Sequence, residues 1–281
     1  MTNSLSRRAF LALAGTLPLA ARAALAASKA QVGIELYSVR GFLMKDLMGT
    51  VRGIAAMGYP EVEFYSPYLQ WTPQYAADVR KLLDELNVTC PSTHNGHNAI
   101  VGDELSKAIE LNKAIGSKAI IVASPGPAKT ADDFRALADR LNAAADRLRP
   151  LGMVTGFHNH AMEWKPLDGE RPMDILASRT AKDVVLQLDI GTCVEAGADP
   201  VAWIKANPGR ITSMHCKDWA SDGRGYAVNF GEGAAPWKAI FEAAESVGGI
   251  EHYLIEQEAG PAEEQMKRAE QCLANWRKMR T

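Results

Sequence analysis

Residues 118–159 read KAIIVASPGPAKTADDFRALADRLNAAADRLRPLGMVTGFHN, and this stretch decides the fold. It opens on an apolar run, 118–124, that turns at Pro125 and Pro127. An amphipathic helix is expected over 130–152, with Thr130 as its cap and Asp132 and Asp133 in the first turn, where acids complement the helix dipole. A second apolar run, 153–159, follows. Two apolar runs joined by a helix make a βαβ unit, and strands apolar on both faces belong to a parallel sheet covered on both sides.

The same alternation continues in both directions. Strands are expected over 32–37, 61–65, 89–94, 184–190, 210–218 and 252–258. Helices are expected over 46–58, 72–87, 104–116, 173–178, 199–207, 235–248 and 262–279. Eight βα units in about 250 residues imply a single-domain (β/α)8 TIM barrel over residues 29–281. A doubly wound open sheet is the competing architecture, but no G-x-G-x-x-G follows the first strand.

Residues 1–28 are of a different kind. Arg7 and Arg8 precede a short Ala/Leu run and an A-x-A at Ala24–Ala26, which reads as a twin-arginine export signal. The run is too short and Ala-rich for a span of about 20 residues. The expectation is a periplasmic protein with no membrane contact once the signal is removed. The chain carries a formal charge of −2, and removing the signal with its three arginines and no acids makes it −5. An acidic balance argues against nucleic acid as a partner, which needs a basic footprint. The four cysteines, Cys90, Cys193, Cys216 and Cys272, form no C-x-x-C pair, which argues against a zinc ribbon and for buried free thiols.

In a TIM barrel the chemistry sits at the C-terminal strand ends. There the sequence places Glu35, Glu61 and Glu63, His94, His158 and His160 with Glu163 beyond them, Gln187 and Asp189, His215 and Lys217, and Glu256 and Glu258. The N-terminal ends begin with residues such as Val32, Lys118, Met153 and Val184. Alternation puts His158 and His160 on one face and Asn159 on the other. Carboxylates and imidazoles converging from strands 5 to 8 point to one divalent metal, Mn²⁺ first, with Mg²⁺, Co²⁺ or Zn²⁺ as alternatives. The glycine-rich GEGAAPW (231–237) lacks both the P-loop lysine and a preceding strand, so phosphate binding is not expected there.

GIELYSVR (33–40), GYPEVEFY (58–65), GFHNHAMEW (156–164), LQLDIGT (186–192), RITSMHCKDW (210–219), GEGAAPWKAIF (231–241) and YLIEQE (253–258) run in order over nearly the whole chain. Together they resemble the xylose-isomerase-like TIM-barrel superfamily of sugar (phosphate) isomerases and epimerases. That superfamily also includes inosose dehydratase, hydroxypyruvate isomerase, ketose 3-epimerases and an apurinic-site endonuclease. Twin-arginine-exported members with an HNH…E strand are also similar to lyases and hydratases of 3-keto-glycosides.

The resemblance implies a metal held by Asp189, His215 and Glu256. At strand 5 the chain departs from the epimerase pattern: His158 stands where those enzymes have Glu. Glu163 is the expected fourth ligand, with His158 as the alternative. The implied roles make Glu256 or Glu163 the base and His160 or His94 the acid. Lys217, His158, Glu63 and Trp219 would contact substrate.

The reading is a metal-dependent isomerase or epimerase that forms an enediolate from a keto-sugar or 3-keto-glycoside. The alternatives are a lyase or hydratase, and a non-catalytic sugar-binding barrel. Six histidines and an acidic balance disfavour the endonuclease. The partner is a small sugar, and a homo-oligomer is compatible with the sequence.

Overall fold

The computed structural model describes residues 30–281. The export signal expected over 1–28 lies outside the described residues. The deciding stretch folds as β4 (Ala119–Ser124), a helix over Ala131–Leu148 and β5 (Val154–His158). Thr130 and Asp133 form a reciprocal capping box at the helix start. Phe134, Leu137, Ala138, Leu141, Ala145 and Leu148 recur at three- and four-residue spacing and are buried against the sheet. Each buried leucine contributes about 2 kcal/mol relative to an exposed one.

The other strands are β1 (Gln31–Glu35), β2 (Glu61–Glu63), β3 (Ser92–Gly96), β6 (Val185–Asp189), β7 (Ser213–Cys216) and β8 (His252–Ile255). The barrel helices are α1 (Leu47–Met57), α2 (Pro73–Leu86), α3 (Gly102–Ile115), α4 (Ala131–Leu148), α5 (Pro172–Arg179), α6 (Pro200–Ala206), α7 (Trp237–Ala243) and α8 (Gln265–Arg280). The sheet runs β2-β1-β8-β7-β6-β5-β4-β3, and every pairing is parallel. The seam between β2 and β3 is joined by isolated parallel bridges, Glu61 to Thr89 and Phe64 to Thr93. Across it Val62 N donates to Thr89 O at 2.9 Å and His94 N to Phe64 O at 2.8 Å. Pro91 has no N–H to give the ladder, so β3 begins at Ser92 rather than at the expected position 89.

The strands expected over 210–218 and 252–258 are shorter than read: β7 begins only at Ser213, and the polar residues after Cys216 and Ile255 leave the ladder at the mouth. A short helix, Ile190–Glu195, also starts directly on β6, with Asp189 as its cap. All four cysteines are free and buried. Among the described residues no helix is long and apolar enough to cross a membrane.

Alternation turns every second residue of each strand into the barrel. On the strands other than β4, whose inward row is Ala119, Ile121 and Ala123, these rows carry polar residues: Glu35, Glu61 and Glu63, Ser92 and His94, His158, Gln187 and Asp189, Ser213 and His215, and His252 and Glu256. Near the floor Gly33 faces Glu61 and Leu254 so closely that a β-carbon would meet each at 2.8 Å. Below the site a cavity of about 380 Å³ is lined by Glu61, Ser92, Ser213 and His252 among others.

His252 Nδ1 lies 2.9 Å from Glu61 Oε2. Burial lowers the imidazole's proton affinity, but Glu61 outweighs burial and raises His252 above its ordinary pKa. The sign follows from linkage: stability from this pair is complete below the unfolded histidine value, near 6.5, and is lost as pH rises through the raised folded value. His252→Gln is therefore expected to lower the melting temperature at pH 5.5 and to have little effect at pH 9. Equal loss at both pH values would show that the pair does not carry the effect.

Candidate metal centre at the barrel mouth

The C-terminal ends of β5 to β8 bring His158, Asp189, His215 and Glu256 together, with one potential ligand atom from each within 4.8 Å of the others. All four are buried. Glu163, the expected fourth ligand, is not in this group. It lies in a short 3-10 turn, Ala161–Trp164, where its Oε2 accepts from His160 N at 2.7 Å. Its other oxygen is buried without a hydrogen bond, and burial raises its pKa.

Asp189 is held from behind. Its N–H donates to Asn159 Oδ1 at 3.0 Å, and Asn159 Nδ2 donates to Thr192 Oγ1 at 2.9 Å and to Asp189 O. Thr192 N donates to Asp189 Oδ1 at 2.8 Å. Asp189 Oδ2 accepts no directed hydrogen bond and faces the cluster. Asn159, pointing away from the barrel axis, thus braces the ligand without entering the site.

His215 lies between two carboxylates, with Nδ1 2.9 Å from Glu256 Oε2 and Nε2 2.7 Å from Glu63 Oε2. Burial works against its protonation, but Glu63 and Glu256 prevail and hold it well above the usual imidazole range. Burial likewise opposes ionisation of Glu63, yet His94 and His215 bring it down to about 2. His158 and His94 go the other way, lowered first by burial and then by neighbouring imidazoles, with Glu63 partly opposing this at His94.

Gln187 fixes these two neutral rings. Its Oε1 is 3.1 Å from His158 Nδ1 and 2.6 Å from His94 Nε2, and its Nε2 donates to Glu63 Oε1 and Ser213 Oγ at 3.0 and 2.9 Å. An amide oxygen only accepts, so the assigned tautomers put protons on His158 Nδ1 and His94 Nε2. His158 Nε2 is then left with a free lone pair, 3.8 Å from Asp189 Oδ2. Sequence reasoning noted Gln187 at a strand end without giving it a role; its signal was an amide one alternation before Asp189.

Lys217 is 3 % exposed, with Nζ 2.9 Å from Asp189 Oδ2, 3.0 Å from Glu256 Oε2 and 2.5 Å from Glu258 Oε1. Burial disfavours its charge, but Asp189 and then Glu256 and Glu258 hold the ammonium well above its usual pKa. Glu256 is pushed well down, burial being overcome by Lys217 and His215.

A cavity of about 270 Å³ opens above, lined by His94, His158, His160, Glu256 and Glu258 and walled by Tyr37 and Tyr65. His160 is exposed there. Glu63 lies beneath, bonded to protein groups, and Trp219 packs in the loop after β7. A larger groove of about 500 Å³ between α5 and α6, lined by Trp164, Trp203 and Arg171, contains none of the clustered groups.

The glycine-rich loop is occupied by the protein itself. Asp218 Oδ2 accepts from Gly231 N, Gly233 N and Trp237 Nε1 at 3.0, 3.1 and 2.8 Å, and Oδ1 accepts from Trp219 N and Ala235 N at 3.0 and 3.3 Å. A β-carbon on Gly233 would lie 2.1 Å from Asp218 Oδ1, which explains the glycine.

Two carboxylates and two imidazoles converging from four neighbouring strands, with the Asp189 and Glu256 oxygens already drawing the Lys217 ammonium between them, suit a divalent cation. The fold is that of a sugar phosphate isomerase/epimerase from Parabacteroides distasonis ATCC 8503, with a TM-score of 0.73 at 21% identity over 88% of this chain and 94% of that one. It is also that of the IOLI protein, whose structure binds a zinc atom, with a TM-score of 0.67 at 14% identity over 87% and 97%. The inosose dehydratase of Lacticaseibacillus casei is 28% identical over 181 residues, 53% of this chain and 60% of that protein. The chain spans less than two-thirds of the length of the curated relatives it matches. Eight parallel strands, a polar cluster at their C-terminal ends and a profile match over residues 51–276 agree: the chain belongs to the xylose isomerase-like TIM barrel family.

Proposed function

We propose that the protein is a divalent-metal-dependent enzyme that removes the α-proton of a keto-sugar or 3-keto-glycoside, with β-elimination as the outcome the site favours. The observation that carries this is the strand-5 position: His158, not a carboxylate, stands in the four-residue cluster. Asp189, His215, Glu256 and His158 would hold the ion, and His158 would use Nε2. When bound, the metal supplies Lewis-acid stabilisation of the enediolate.

The chain's own groups divide the remaining work. Glu256, held ionised, takes the proton from the carbon next to the carbonyl, and the C–H electron pair moves toward the carbonyl oxygen. His160 at the open face donates a proton to the β-oxygen as its bond to carbon breaks, while His94, whose Nε2 proton is held by Gln187, is left out of this role. Glu63 behind His215 orients that ring, as a carboxylate does for a metal-ligating histidine. With His158 at the strand-5 position, no strand-5 carboxylate faces Glu256 across the cluster, and Glu258 at the cavity wall is paired with Lys217, which favours elimination over epimerisation. The inosose dehydratase similarity supports the same direction. Isomerisation is the second reading, because it uses the same enediolate and needs only one base.

Metal analysis with α-proton exchange from D₂O into 3-keto-glucosides and ketoses tests the proposal. Glycone release marks elimination, and absence of both metal and exchange would refute it. His158→Ala is expected to weaken metal binding by at least about 100-fold, while Glu163→Gln retains it. The reverse order would restore Glu163 as the fourth ligand.

A further inference from the structure

Lys217 has a position that a substrate contact does not explain. Its ammonium lies between Asp189 and Glu256, two members of the four-residue cluster, and touches both carboxylates. Its third partner, Glu258, is outside that cluster and 37% exposed at the rim. The Tyr226 ring lies 5.6 Å from Nζ. The lysine therefore bridges the inner carboxylates and an outer one from a single position.

Two buried carboxylates repel unless a cation sits between them. A divalent ion between the same carboxylates would repel an ammonium a few ångströms away. Both cations therefore compete for the same oxygens, and the lysine already touches a further carboxylate, Glu258, on the side away from the cluster.

We propose that Lys217 is a displaceable internal cation: it holds Asp189 and Glu256 together until the metal binds, then withdraws to Glu258. This rests on the metal-centre reading above. It makes Lys217 a positioning residue that sets metal affinity, and Glu258 its landing group. The lysine keeps the ligands ordered and raises the concentration at which an ion can enter.

The test uses the full chain stripped with chelator and titrated with Mn²⁺ in a calorimeter. Lys217→Met is expected to bind Mn²⁺ on the order of tenfold or more tighter, and to melt lower than the parent without metal. Glu258→Gln is expected to weaken Mn²⁺ binding in the parent and to change it little in the Lys217→Met background. Unchanged or weaker Mn²⁺ binding by Lys217→Met overturns the proposal. A parent that binds no divalent ion refutes the metal-centre reading itself.

If Lys217→Met does not fold, amine labelling of the parent gives the answer by mass spectrometry. Lys217 is expected to label faster when Mn²⁺ is added. Equal labelling with metal bound overturns the displacement.

Discussion

Glu256→Gln is expected to lower turnover by about 10³- to 10⁴-fold while leaving the barrel folded. The change keeps the side chain's shape and removes one charge. His215 keeps Glu63, and Lys217 keeps Asp189 and Glu258, so no buried cation is left alone. What disappears is the ionised carboxylate that meets both His215 and the cavity. Metal affinity falls as well, because one of two anionic ligands becomes neutral. The measurements are single-turnover rate on a 3-keto-glucoside, bound metal and a thermal melt. Near-parental proton exchange with D₂O would remove Glu256 as the base, even if metal were lost.

Arg210→Ala is expected to destabilise the fold by about 3 kcal/mol or more and to lower the melting temperature by roughly 10 °C. Arg210 is 2% exposed and among the largest fully buried side chains. Its Nη1 donates to Ala177 O at 2.6 Å, its Nη2 to Thr180 Oγ1 at 2.6 Å and to Val184 O at 2.9 Å, and its Nε to Val184 O at 3.2 Å. The guanidinium thus joins the end of α5 and the approach to β6 to the segment leading into β7. Alanine would leave those carbonyls without donors and open a cavity. Arg210 precedes β7, at the end of the barrel away from the mouth, so the activity of folded protein is expected to persist. Urea denaturation measures the loss, and a change below about 1 kcal/mol would show that water replaces the guanidinium at no cost.

Much of this was legible in the sequence because strand and helix periodicities differ, and because caps and glycines mark helix ends. Asp46 and Gly58 bound α1, Thr72 and Asn87 bound α2, and Asp199 opens α6. Strand ends were harder. Glu61 with Thr89 and Phe64 with Thr93 pair only as isolated bridges, a result of Pro91 and of barrel closure that no local pattern carries. At the mouth, the family resemblance supplied Asp189, His215 and Glu256, and alternation turned Asn159 to the face opposite His158. Alternation did not decide between His158 and Glu163, because Glu163 lies past the strand in a turn whose path depends on the backbone at His160. Lys217 read as a substrate contact. Only the juxtaposition of β6, β7 and β8 shows its carboxylate partners, which are distant in the chain. Gln187 was hidden for the same reason, since its partners come from β2, β3, β5 and β7.

The Asp218 cage has a consequence for substrate selection. The amides of Gly231, Gly233 and Ala235 converge as they would on a phosphate, but they already hold a carboxylate tethered to the same chain. An incoming phosphomonoester would have to outcompete a ligand whose effective concentration is set by covalent linkage, not by the cell. On the proposed function, this part of the rim would therefore give a phosphorylated sugar no advantage over its unphosphorylated counterpart.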